Sequence, residues 1–369
     1  KLFRISSDLI PFGSSAVNPL PWWVMFSPQL QQIGKKIQIS GMRVSMHPGQ
    51  YTVLNSPNAE VVAKAMEDLN YHVRVLDNLE TDYQHKIVLH IGGVYDNKQL
   101  AMSRFISHYA QLGESVKQRL ILENDDRSYN IEEVLEIGAM LHAPVVFDNL
   151  HNAINPCNKQ MSNAYWIDQC RKTWSQKDGN QKVHYSQQAP LKKPGSHSNF
   201  IRINEFMSFY DSIGRKDLDI MLEVKDKNLS AVKCMNCTSH NKDIKALELE
   251  WSKYKYSVLE SSPSHYLEIR KLLRNKRDCS AIDFYNILEA ALQKPREIGN
   301  SVNAAQHIWG YFKNIASAKE KDAFIKNIKD YQQSKITINS IKTRLLKMAV
   351  KYQQSYLLNS YYFIHLNKE

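Results

Sequence analysis

Six short segments of this chain each close on a side chain able to ligate a metal. RVSMHPGQY reaches His47, KIVLHIGG His90, LILENDD Glu123, VVFDNLH Asp148 and His151, KVHYS His184 and IMLEVKD Glu223. Imidazoles and carboxylates together suit Mn²⁺, Zn²⁺ or Fe²⁺, and a set with several carboxylates and no thiolate leans towards Mn²⁺. Two or three such ions lower the pKa of a water and hold the attacking and leaving oxygens of a phosphate. Glu123 falls mid-order, where one carboxylate can bridge two ions, and the DNLH spacing lets Asp148 and His151 serve neighbouring ions. One histidine at a strand end is usually a hydrogen-bonded structural residue; six such ends together point to metal binding. Lys182 lies beside His184 in sequence, and strand alternation is expected to turn the two to opposite faces. Both a surface and a site role therefore stay open for Lys182.

Residues spread from position 47 to position 223 meet only if the strands carrying them lie side by side and point the same way. Strand-like runs recur at Leu2–Ser6, Met42–Met46, Ile87–His90, Leu120–Glu123, Pro144–Asp148, Val183–Tyr185 and Ile220–Glu223. Helical patterns separate them, such as AEVVAKAMEDLNYHVRVLDNL and NIEEVLEIGAML, the latter starting at Asn130 with an acidic first turn. Alternating strand and helix predicts parallel strands with right-handed crossovers. The expected fold is α/β, a TIM-type (β/α)8 barrel whose C-terminal strand ends form the site. Seven strands are countable, so the first strand and helix are expected upstream of Lys1; otherwise the sheet keeps an open edge.

The net charge of +11 is uneven. Residues 231–369 hold 23 Lys and Arg against 13 Asp and Glu, whereas residues 1–230 hold 25 against 24. From about Ser230 long amphipathic patterns take over, including ALELEWSKYKYSVLE and SIKTRLLKMAVKYQQSYLLNSYYF. The predicted organisation is a barrel over 1–230, a linker over 231–247 and a basic all-α domain over 248–369. That basic surface is either a nucleic-acid contact or an ordinary solvated helical face. Trp251, Tyr254 and Tyr256 could stack on bases, although their spacing fits core packing better. CMNC (Cys234, Cys237) with His240 reads as half a zinc site or two ordinary thiols, since a structural site needs four ligands. The five scattered cysteines favour a reducing cytoplasm over a disulfide framework. No apolar run is long enough to span a membrane.

RISSDLIPFGSS, MHPGQYTVLNSP, HIGGVYDNK, LENDDRSYN, VFDNLHN, KVHYSQ, GSHSNFI and MLEVKDKN together resemble the UV damage endonuclease (UVDE) family over roughly residues 1–230. The resemblance implies a metal-dependent repair nuclease, related in fold to the endonuclease IV group, that nicks damaged double-stranded DNA 5′ to UV photoproducts. Its cofactor would be two or three ions, Mn²⁺ first and Zn²⁺ or Mg²⁺ as alternatives. It assigns His47, His90 and Glu123 to one ion, and Glu123, Asp148, His184 and Glu223 to a second. His151 and His197 would hold a third. Glu123 and Lys182 become catalytic, the matching lysine being one that can carry a carboxylate in the family. Gln50 and Tyr51 match the pair that probes the duplex at the lesion; an amide and a planar ring suit the gap left by an extruded dinucleotide. Ser15 stands where many relatives carry histidine, and other lesion-sensing residues of the family lie on the loop of the first strand, which is not among the seven. Residues 248–363 resemble a YbgA-like helical domain of unknown function. The expected location is the cytoplasm with activity at the nucleoid, without a membrane or protein partner. Competing readings are a sugar-phosphate isomerase or epimerase barrel and a non-catalytic DNA-binding module.

Overall fold

The computed structural model describes residues 2–157, 161–226, 228–239, 243–276 and 279–364. The chain divides into two compact units, Lys1–Ile201 with Ser208–Ser230, and Arg202–Met207 with Ala231–Glu369.

The first unit is built on seven parallel strands paired in chain order: β1 (Leu2–Ile5), β2 (Arg43–Met46), β3 (Ile87–His90), β4 (Leu120–Glu123), β5 (Val145–Asp148), β6 (Lys182–Tyr185) and β7 (Asp219–Leu222). Helices fill the intervals, giving a TIM-like, nearly closed barrel. At its seam Arg4 of β1 reaches Glu223 just past β7, Nη1 to Oε1 2.5 Å. Strands β4, β5 and β6 are buried along their whole length, as a sheet covered on both sides requires. Helix Ala59–Asn78 starts on an Asn58 cap, and helix Ile131–Leu141 starts where the sequence places it, on a capping box of Asn130 and Glu133.

Register fixes which ligand-type side chains become neighbours. His90 pairs with Glu123, and Asp148 with His184. Two residues earlier on three of these strands, and so on the same face, Val88, Ile121 and Val146 form one buried cluster. Lys182 precedes His184 by the same two residues. It therefore shares the face of His184, contrary to the expectation of opposite faces: side chains repeat every second residue along a strand. Lys182 is buried accordingly, 3 % exposed.

The opposite end of the barrel is tied by buried ions. Lys86, just before β3, donates to Asp178 at 2.6 Å and to the Gln118 carbonyl at 2.7 Å. Burial alone would raise the Asp178 carboxyl, but hydrogen bonds from Lys86 and Ser175 outweigh it and hold the group below the usual carboxylate range. Burial lowers the Lys86 ammonium, and Asp178 contributes to the acid limb alongside the other depressed carboxylates of the chain. A depressed carboxylate stabilises the fold above its unfolded pKa of about 3.9, and that contribution disappears as pH falls through the folded value. The melting temperature is expected to drop on acidification below about pH 4. Asp178→Asn should lower it at neutral pH and flatten that acid limb; an unaltered limb in the variant would refute the assignment.

The second unit is helical. Helices Ile244–Ser261, Pro263–Arg274, Ala281–Leu292, Ile298–Trp309, Ala318–Gln332 and Ile338–Lys351 are its longest elements. Val302, Ile308, Phe312, Phe324, Ile341 and Leu345 belong to one hydrophobic core cluster there. Tyr254 and Tyr256 are buried, and Trp251 packs on Tyr266, so these aromatics build the core. The segment read as a linker is largely helix, Asn228–Thr238, with Cys234 and Cys237 one turn apart on it. Burial pushes the Cys237 thiol up to about 12. His240 lies outside the described residues. Among the described residues no helix is long and apolar enough to cross a membrane.

A candidate metal centre at the strand ends

Six of the seven strands, β2 to β7, deliver a ligand-type side chain at the same end of the barrel. His90, Glu123 and Asp148 are the last residues of β3, β4 and β5, His184 lies within β6, and His47 and Glu223 follow β2 and β7 directly. His151 sits on the short helix Asn149–Ile154, whose N-cap is Asp148: the Asp148 carboxylate accepts from the His151 amide at 2.8 Å. His197 comes from the loop after β6, held by an antiparallel bridge to Gln188.

Glu123 is the hub. Its side chain is fully buried, with Oε2 2.9 Å from His47 Nε2 and 3.5 Å from His90 Nε2. Its Oε1 lies 2.7 Å from His184 Nδ1 and 3.8 Å from His151 Nδ1. Glu223 stands across the site, 3.3 Å from His184 and 3.6 Å from His197. Three interlocking groups bring ligand atoms within 4.8 Å of one another: His47–Glu123–His184, Glu123–Asp148–His151 and Asp148–His184–Glu223. The second ion set implied by the resemblance contains the last of these groups. In the first group His184 takes the place expected of His90, whose ring lies 5.1 Å from that of His47. The rings of His151 and His197 are 6.4 Å apart.

The electrostatics are those of a site short of positive charge. Burial acts to raise the Glu123 and Glu223 carboxyls, yet their neighbours together outweigh it and hold both low: His184, His90 and His47 at Glu123, and His184, Arg4 and His47 at Glu223. Asp148 goes the other way: burial, with Glu123 and Glu223 close by, raises it despite His151. Burial opposes charge on His151, but the Asp148 and Glu123 carboxylates beside it raise that ring to about 9. Burial lowers His90 to about 4. Three buried carboxylates thus share one set of imidazoles, and divalent cations are the usual remedy for such a charge excess. Asp148 Oδ2, His184 Nε2 and His90 Nδ1 are buried without a hydrogen-bond partner. Orphaned oxygen and nitrogen acceptors in a carboxylate–imidazole cluster fit hard to borderline metal ions.

Lys182 lies beneath this layer with its Nζ also orphaned. Burial, with Arg43 nearby, lowers its amine to about 7. Gln50 and Tyr51 are exposed on the loop after His47, Tyr51 at 68 %. Ser15 is exposed on the loop after β1.

Residues 1–254 match the family model of the UV-endonuclease UvdE. This chain belongs to the UvdE family. A UV DNA damage endonuclease of Clostridium perfringens is 41 % identical over 351 residues, covering 93 % of this chain and 84 % of that protein. A UV DNA damage endonuclease of Bacillus mycoides is 32 % identical over 256 residues, covering 68 % and 80 %. The crystal structure of SacUVDE superposes with a TM-score of 0.60 at 36 % identity, over 67 % of this chain and 80 % of that one. Residues 255–365 match a second model, described as a protein of unknown function (DUF1722). The Clostridium alignment is too long for the UvdE region alone, so that relative shares the helical unit at least in part.

Two features of this UvdE-family site escape the motif reading. Arg4 contacts Glu223, and its only sequence signal is a charge inside the apolar run LFRI. Asn124, fully buried, exchanges two hydrogen bonds with the Asp148 backbone and so locks β4 to β5 at the hub.

Proposed function

We propose that this chain is a metal-dependent DNA-repair endonuclease that nicks the backbone of damaged double-stranded DNA 5′ to UV photoproducts. The observation carrying this reading is the set of three ligand groups sharing Glu123, Asp148 and His184, within a chain of the UvdE family. His47, His90 and Glu123 would hold one ion, Glu123, Asp148, His184 and Glu223 a second, and His151 with His197 a third. Mn²⁺ is the best match to so carboxylate-rich a set, with Zn²⁺ or Mg²⁺ as alternatives. Bound ions supply a water of lowered pKa and neutralise charge developing on the phosphate. The exposed side chains around the site orient the phosphodiester above the ligand layer, so that water attacks phosphorus and displaces the 3′ oxygen. The products are a 3′-hydroxyl and a 5′-phosphate. Lys182, an orphaned amine two residues from His184, would take up CO₂ as a carbamate with loss of a proton and so add negative charge near the ions. The positive surplus of residues 231–369 supports added contact with DNA phosphates. Such an enzyme works in the cytoplasm, at the nucleoid.

Incision of a duplex carrying one cyclobutane pyrimidine dimer, with Mn²⁺ supplied, tests this directly. A single nick 5′ to the dimer is expected, none on the undamaged duplex and none after chelation with EDTA. Binding without incision under Mn²⁺, Zn²⁺ and Mg²⁺ alike would overturn the reading. The Tyr51→Ala variant is expected to lose about tenfold to a hundredfold in kcat/KM on the dimer duplex, the scale of one lost base-stacking contact. Equal kinetics for the variant and the parent would remove Tyr51 from the lesion contact.

A further inference from the structure

Gln50 and Tyr51 occupy the two central positions of a tight turn, closed by the Thr52 amide donating to the Gly49 carbonyl at 2.9 Å. The turn does not hang free. The Thr52 hydroxyl, 2 % exposed, donates to Asp68 Oδ2 at 2.6 Å, and Asp68 is itself 4 % exposed, on helix Ala59–Asn78. One helical turn on, His72 is fully buried; its Nδ1 donates to the Asp68 carbonyl at 2.6 Å and its Nε2 lies 3.0 Å from Ser7 Oγ. Ser7 in turn donates to the His47 carbonyl at 2.6 Å. The residue that opens the turn's approach and the residue that ends it are thus both tied to one helix. A Cβ on Gly49 would overlap the Tyr51 ring, so the ring rests over the bare backbone of position 49.

A buried carboxylate that accepts a hydroxyl beneath an exposed tyrosine is costly to keep unless the geometry it sets is used. We propose that Asp68, acting through Thr52, presets the Gly49–Thr52 turn so that Gln50 and Tyr51 meet the lesion already ordered. Asp68 and Thr52 are positioning residues: neither reaches the ligand cluster, and both act on the probe pair through the turn. This inference rests on the lesion-probing role proposed above for Gln50 and Tyr51. A preset turn spares the ordering of two side chains on binding, a gain of about tenfold in affinity for the damaged duplex over the undamaged one.

The test uses the full chain, Mn²⁺ and a dimer duplex with 2-aminopurine beside the lesion, whose fluorescence rises on unstacking. Thr52→Val keeps the shape of the side chain and removes the hydroxyl; Thr52→Ser keeps the hydroxyl. The expected result is that Thr52→Val loses about tenfold of the damaged-to-undamaged affinity ratio and much of the fluorescence rise. Thr52→Ser should restore both, which a merely packed threonine would not. Gly49→Ala leaves the Asp68 anchor intact and displaces the ring from outside, and should lower the fluorescence rise in the same way. Wild-type selectivity and fluorescence in folded Thr52→Val would overturn the inference, as would wild-type behaviour of Gly49→Ala if Thr52→Val does not fold. Tyr51→Ala separates the two readings: if it leaves selectivity intact, the probing role itself is wrong, whereas loss in Tyr51→Ala alone refutes only the anchor.

Discussion

Glu123→Ala abolishes incision of a dimer-bearing duplex, a fall on the order of a thousandfold or more in kcat, while duplex affinity changes only a few-fold. The asymmetry follows from position. Glu123 lies within 4 Å of four imidazoles, those of His47, His90, His151 and His184. Removing it takes two oxygens from the centre of the ligand cluster, and no neighbouring carboxylate can replace both. Its complete burial also means that it makes no direct contact with a DNA surface, so grip on the duplex belongs to other residues. Glu123→Gln should fail nearly as badly, because a neutral amide keeps the shape and lacks the charge. Single-turnover incision, with binding measured in parallel by fluorescence anisotropy, checks both halves. Near-normal cutting by Glu123→Ala would sink the proposed mechanism; equal collapse of binding and cutting would recast Glu123 as a structural residue.

The second large effect is on stability. Arg119 closes the other end of the barrel, just before β4, and is 2 % exposed. Its Nη1 donates to the Asp82 and His85 carbonyls at 2.7 and 3.1 Å, its Nη2 to the Thr81 carbonyl and Asp77 Oδ1 at 2.8 Å each. One guanidinium thus satisfies the chain reversal that leads into β3, and it also lies 5.0 Å from the Tyr83 ring centre. Arg119→Ala leaves three carbonyls without this donor and opens a cavity, so a loss of about 3–5 kcal/mol is expected. For a unit of this size that corresponds to roughly 10 °C in melting temperature. Arg119→Lys should recover only part, since one ammonium cannot reproduce a fork aimed at four acceptors. Urea denaturation of both variants decides it, and a loss below about 1 kcal/mol for Arg119→Ala would show the network to be worth no more than an exposed one.

Much of the barrel was legible because its signals are local. Each run from Leu2 to Glu223 is a short apolar stretch bounded by turn residues, and parallel order follows from the helices between. Helix Ile131–Leu141 announced itself through Asn130 and Glu133. The site was legible in its membership, since chemistry restricts which residue types can end six strands in this way. Lys182 was misjudged by a periodicity argument applied one residue out, although the two-residue repeat itself places it under His184. Residues 231–247 read as a linker between two differently patterned regions, and much of that segment is helical, within Asn228–Thr238. Tertiary packing can override weak local propensity over so short a stretch.

The order of strands, the ligand-type side chains at their ends and the basic surplus of the helical part were determined by the sequence alone, because each depends on composition or on spacing within a few residues. Which imidazole faces which oxygen of Glu123 was decided only in three dimensions, by strand register such as His90 opposite Glu123. So were the contact of Arg4 with Glu223 across the seam and the grip of Asp68 on Thr52 beneath Tyr51. Those pairs are separated by 219 and 16 residues and carry no periodic signal. Their geometry is set by how the barrel closes and how one helix packs against two loops, which no local pattern encodes.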